Sequence, residues 1–107
     1  MRELSVQALR AARAAGQAAD WQIVDVREPW EHAICALDGA LLVPMNDLPR
    51  RLQELEPTRP TVVLCHHGVR SFQVALWLEH QGFTDVANLT GGIDAWGRDV
   101  DPDMASY

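Results

Sequence analysis

The sequence predicts an α/β fold, a parallel sheet with helices on both faces. Two observations carry that prediction. Runs rich in branched aliphatic residues alternate with helix-patterned segments along the whole chain, and the connections between them are short. A third sets the scale: with 107 residues, 48% of them hydrophobic, the chain can build a sizeable core and is expected to form one domain over residues 1–107.

Ser5 suits a helix cap, and Val6, Leu9 and Ala12 share one face of a helix to about Ala15, with Arg10 and Arg13 on another. Gly16 stops it. Trp21 to Val26 reads as a strand. Pro29 fits the first position of a short helix, with Glu28 and Glu31 in its first turn. Asp38 and Gly39 mark a turn, and Ala40 to Val43 is a second strand closed by Pro44. Asn46 is the expected cap of the next helix, where Leu48, Leu52 and Leu55 recur at i, i+4 and i+7 and Pro49 is early enough to be tolerated. After a loop from Glu56 to Pro60 comes a third strand, Thr61 to Leu64, and then a helix from about Ser71 to Gln81. The apolar arc of that helix (Phe72, Val74, Ala75, Leu76, Trp77, Leu78) is too wide for a surface element and predicts burial. Gly82 ends it. Asp85 to Leu89 is a last short strand, Thr90 to Gly92 turns into a helix carrying Ile93 and Trp96, and residues from about 98 to 107 read as an acidic tail with Asp99, Asp101 and Asp103.

The bulk composition narrows the function. A net charge of -6 argues against nucleic acid and anionic membrane as partners. All nine basic residues are Arg, so lysine Schiff-base chemistry is excluded. No apolar run approaches the roughly 18 residues of a membrane span. No signal-peptide pattern is visible at the N-terminus, so a cytoplasmic protein with reduced thiols is expected. Two cysteines, Cys35 and Cys65, are too few for a disulfide scaffold.

The chemistry concentrates after the third strand, in Cys65, His66, His67, Gly68, Val69, Arg70 and Ser71. A strand, a tight loop and a helix place the Cys65 thiol at the C-terminal edge of a sheet, facing a helix N-terminus, where ligands of open α/β sheets bind and anions are favoured. Gly68 frees the loop to curl its N–H groups inward, and Arg70 adds planar donors. Such surroundings ease ionisation of a thiol, and Cys65 is the candidate nucleophile. A packed small hydrophobe is the plainer reading of any free cysteine, but thiol, glycine loop, arginine and helix start within seven residues outweigh it.

The run Cys65-x-x-Gly68-x-Arg70-Ser71 resembles the active-site loop of the rhodanese (sulfurtransferase) family. Asp25 to Glu31, followed by Asp38, Gly39, Ala40 and Pro44, is similar to that family's segment after its second strand. Leu89 to Trp96 is similar to its closing Gly-Gly-x-x-x-Trp segment. One departure is Ile34-Cys35-Ala36-Leu37, where the family commonly has Gly-His-Ile. The resemblance implies three layers, a central sheet of about five parallel strands between helices. It also implies sulfur transfer through a persulfide on Cys65, taken from a donor such as thiosulfate and passed to cyanide or a thiol, with no cofactor and no metal. The loop, His66 to Ser71, would be the anion-binding site. Arg70 could hold a sulfonate or brace the loop, and both readings stay open. Only six residues run from Cys65 to Arg70, one fewer than in the related phosphatases, which suits a single sulfur better than a phosphate.

The other candidates carry plainer alternatives. His66 and His67 are either a base and a thiolate partner or side chains turned to solvent, and the second is favoured because the amides define such a loop. A metal centre from Cys65, His66, His67, His32 and Cys35 lacks the usual ligand spacing. Asp25 and Arg27 are expected to support the pocket through an ion pair or backbone bonds, direct substrate contact being the lesser reading, and Trp30 to line it or to staple the short helix. Cys35 is a resolving thiol only if it approaches Cys65, and otherwise packing. Trp77 and Trp96 read as core. Two rival functions remain: a sulfur-relay module that works only when docked to a partner protein, and a redox sensor using both thiols.

Overall fold

The sheet is built around β4 (Thr61–Leu64), whose four residues are all buried and which pairs on both sides. The computed structural model describes residues 1–107. In chain order the elements are β1 (Arg2–Leu4), α1 (Val6–Ala14), β2 (Gln22–Asp25), α2 (Pro29–Ile34), β3 (Leu41–Leu42), α3 (Leu48–Arg51), β4, α4 (Val69–His80), β5 (Val86–Leu89) and α5 (Gly92–Asp99). The five strands lie in the order β1-β5-β4-β2-β3, and every pair is parallel. The predicted α/β architecture is the one observed.

Alternation along the strands divides the core in two. Val24, Val63 and Cys65 face α4 and α3, packing with Val74, Ala75, Leu78 and Leu48. Ile23, Val62 and Leu64 face the opposite side, where Val6 and Leu9 of α1 meet Ile93 and Trp96 of α5. Burial on both faces is why the sequence of β4 runs unbroken in apolar residues instead of alternating. Cys65 follows directly on β4, so the sheet delivers its sulfur to the C-terminal edge.

The local signals held where they were strong. Ser5 Oγ accepts the Ala8 N–H at 3.0 Å and starts α1, and Pro29 opens α2. Elsewhere the structure corrects the prediction. Arg2–Leu4 is a strand, unforeseen because three residues with two charges show no apolar alternation; it forms by pairing with the open edge of β5. Asn46 does not cap a helix: it lies inside a 3-10 turn, Met45–Asp47, ahead of α3, and its side chain bonds no helix amide. The helix expected to be buried, α4, keeps Phe72 and Leu76 40% exposed, because only the stripe of Val74, Ala75 and Leu78 meets the sheet. Trp77 packs against the core from a half-buried position, whereas Trp96 lies within it. No helix is long and apolar enough to cross a membrane.

Candidate functional site

The site begins with the turn out of β4. Gly68 stands at φ +98 immediately before α4, a backbone state that side chains rarely adopt, and it folds the loop back over Cys65. Its N–H donates to Cys65 Sγ at 3.1 Å and the Ser71 N–H at 3.4 Å, and the Ser71 hydroxyl oxygen lies 3.3 Å from the sulfur. Of the amides expected to ring the sulfur, Gly68 is the one that bonds it, and Ser71 in the first turn of α4 supplies the second. Burial pushes the Cys65 thiol up, but these hydrogen bonds and the Arg70 charge outweigh it, and the thiol ionises below its ordinary 9.0. Cys65 is 1% exposed, so the sulfur is covered while its donors point at it.

A buried polar frame holds the loop. The Asn88 amide nitrogen donates to Gly68 O at 3.1 Å and to the Glu3 carboxylate at 3.1 Å, which fixes its oxygen toward the Ser71 hydroxyl at 2.5 Å. From the other side α5 docks on the loop: Ile93 N donates to Cys65 O at 2.9 Å and Asp94 N to His66 O at 3.0 Å.

Arg70 is paired with a carboxylate of the protein. Its two terminal nitrogens bind the two Glu31 carboxylate oxygens at 2.7 and 2.9 Å. Glu31 Oε1 also accepts the Glu28 N–H at 3.0 Å, so the first turn of α2 and the Cys65 loop share one carboxylate. Arg27 is 0% exposed and spends every nitrogen: Nε and Nη2 on Asp25, Nη2 on Cys35 O at 2.7 Å, Nη1 on Glu31 O at 3.3 Å and on the Tyr107 hydroxyl at 3.1 Å. Asp25 and Arg27 thus form the expected buried pair.

Tyr107, at the end of the segment expected as an acidic tail, returns to the site. The Tyr107 hydroxyl donates to Glu31 Oε2 at 2.7 Å, and its ring stacks on His66 at 3.8 Å between centroids. Trp30 is exposed and stands edge-on to Tyr107 at 5.8 Å. His66 is sandwiched, with His67 on its other face at 3.9 Å, so it does not project freely to solvent; burial and the neighbouring His67 hold it below the ordinary imidazole range. His67 is exposed, and so is Val69. Cys35 is free, like Cys65, and half-buried beside Arg27.

Glu31, Asn88 and Tyr107 were not singled out from the sequence. Asn88 left a trace, an amide in the middle of an apolar strand. Glu31 stands in the sequence as a helix-start acid closing the Asp25 to Glu31 segment, and nothing local ties Tyr107 to a loop so far back in the chain.

A family profile described as Rhodanese-like domain matches residues 5–99. The chain belongs to the rhodanese-like domain family. A protein named Sulfurtransferase from Allochromatium vinosum is 42% identical over 79 residues, 74% of each chain. The Rhodanese-like/PpiC domain-containing protein 12, chloroplastic, of Arabidopsis thaliana is 44% identical over 90 residues, 80% of this chain but 30% of that protein. Among solved structures, a rhodanese-like domain protein from Staphylococcus aureus superposes with a TM-score of 0.84 at 32% identity, covering 94% of this chain and 95% of the other. This rhodanese-like domain therefore matches some relatives along most of their length and others along one part.

Glu31 gives the domain an acid-sensitive joint. The Arg70 pair, against the pull of burial and helped by Glu28 and Tyr107, lowers its carboxyl from 4.5 to about 2. Because the folded carboxyl binds its proton more weakly than the unfolded one, the joint stabilises fully above the unfolded value and is lost as pH falls toward 2. That difference corresponds to about 3 kcal/mol. Urea denaturation across acid pH should show Glu31→Gln with a flatter decline than the unmodified protein between about pH 5 and pH 2. Parallel declines would show that Glu31 is not the group responsible.

Proposed function

We propose that this domain is a sulfurtransferase in which Cys65 carries sulfane sulfur as a persulfide. The observation that supports it most is the Cys65 sulfur at the sheet edge, receiving the Gly68 and Ser71 N–H groups, with the Ser71 hydroxyl oxygen 3.3 Å away. Those donors suit a sulfur anion, either thiolate or persulfide. In the first half-reaction the Cys65 thiolate attacks the outer sulfur of a donor such as thiosulfate. The donor's S–S bond breaks, its electron pair leaves with sulfite, and Cys65–S–S⁻ remains. In the second, an acceptor attacks the outer sulfur and the Cys65 thiolate leaves. Cyanide becomes thiocyanate, and a deprotonated thiol becomes a persulfide. In this reading Arg70, held by Glu31, contributes its charge and the set of the loop, and the Asp25–Arg27 pair fixes α2, which carries Glu31. Two free cysteines suit a reducing, cytoplasmic setting.

Incubation with thiosulfate followed by intact-mass measurement tests the proposal. The expected result is a gain of one sulfur atom in the unmodified protein and none in Cys65→Ser. A second reading, a relay module loaded only when docked to a protein partner, draws on the 1% exposure of Cys65 beside an exposed apolar Val69. No gain from thiosulfate, together with a gain from a persulfide donor, favours that module. No gain from either donor rejects sulfur carriage altogether.

A further inference from the structure

We propose that His66, His67 and Asp94 form a binding site for a borderline divalent transition ion, of the zinc, nickel and copper class, on the outer rim of the Cys65 loop. One donor atom from each of the three lies within 4.8 Å of the other two. Two imidazoles and one carboxylate are a donor set that such ions take, with bonds of about 2.0–2.2 Å and open positions left for water. A tetrahedral site needs its donors roughly 3.4 Å apart, so the three close in from a spread of up to 4.8 Å when the ion binds.

The site is preorganised by parts of the fold that do not depend on the ion. His66 stacks on the Tyr107 ring, which fixes its orientation independently of His67. Asp94 is carried on α5, whose first turn is bonded to the loop through Ile93 N to Cys65 O and Asp94 N to His66 O. The two segments that supply the donors are therefore pinned to each other through main chain. Arg98 donates to Asp94 Oδ2 at 3.1 Å and leaves Oδ1 for a ligand. A cavity of about 330 Å³, lined in part by His66, Asp94 and Tyr107, opens beside two of the three donors. The donor set differs from the one set aside in the sequence for want of ligand spacing, sharing only His66 and His67 with it. The inference stands whether or not Cys65 carries sulfur.

Tag-free protein stripped of metal, titrated with Zn²⁺ by calorimetry and with Co²⁺ by absorption, tests it. One ion per chain is expected, with no cobalt–thiolate charge-transfer band. His67→Ala and Asp94→Asn should each weaken binding about tenfold or more. Cys35→Ser/Cys65→Ser should bind as the unmodified protein does. Arg98→Ala should bind more tightly, since it removes a competing cation from Asp94. Absence of binding overturns the proposal, as does loss of binding with the two cysteines. So does unchanged affinity in the His67 or Asp94 variant, and because His67 is exposed, its variant reads binding even if Asp94→Asn disturbs α5.

Discussion

Gly92→Ala is expected to destabilise the protein by about 3 kcal/mol or more and to slow sulfur loading at Cys65 by about tenfold. A Cβ at this position would lie 2.4 Å from Cys65 O and 2.5 Å from His66 O, both main-chain atoms that cannot rotate away. Gly92 also sits at φ +61, so the added side chain is strained before it meets anything. To relieve the overlap α5 must lift from the loop, which breaks the Ile93 and Asp94 bonds to Cys65 O and His66 O. Those carbonyls belong to the residues that set the position of Cys65 Sγ. Stability and loading should therefore fall together. Gly16→Ala separates the two contributions: it shares a positive φ, +75, but its Cβ would meet nothing within 4 Å. Urea midpoints for both variants, with the rate of mass gain from thiosulfate, provide the measurement. A Gly92 variant no less stable than the Gly16 variant would mean that the close approach of α5 to the loop carries no energy.

The close approach at Gly92 also marks the limit of what the sequence could convey. The fold class was legible because β2 and β4 are buried on both faces, which leaves apolar runs too short for helices and too continuous for a half-exposed sheet. The Cys65 loop was legible because its parts, Cys65, Gly68, Arg70 and Ser71, fall within seven residues, and a strand-to-helix turn has few ways to arrange them. The partners of those parts were not. Glu31 reaches Arg70 from α2, Asn88 reaches Gly68 from β5, and Tyr107 reaches Glu31 and His66 from beyond α5. Each is a tertiary contact whose residue has an ordinary local role: a helix-start acid, a strand amide, a terminal aromatic. The same holds for Phe72 and Leu76, since a helix's own sequence does not say how much of its apolar arc the sheet has room to cover.

Arg27→Met should cost about 3–5 kcal/mol, the range for removing one partner of a buried ion pair. Asp25 and Arg27 are both 0% exposed and joined at 2.7 Å, so the variant strands a carboxylate that water cannot reach. The loss is larger than one pair because the same guanidinium binds Glu31 O, Cys35 O and the Tyr107 hydroxyl, groups left with fewer donors when it goes. The consequence for the site follows from the order of the contacts. Arg27 holds the carbonyls of α2, α2 carries Glu31, and Glu31 holds Arg70 beside the Cys65 loop. A matched substitution distinguishes charge from packing: Asp25→Leu combined with Arg27→Met removes both ions and should recover much of the stability, because no charge is then stranded. The α2 carbonyls stay without their donors in that double variant, so Glu31 is held less firmly and sulfur loading should recover less than stability does. Chemical denaturation of the two single variants and the double variant, with loading rates measured alongside, reads both effects. A single variant costing under about 1 kcal/mol would place the pair among the weak interactions typical of exposed ions. Full recovery of loading in the double variant would show that Arg27 acts on Asp25 alone and positions nothing at the sulfur.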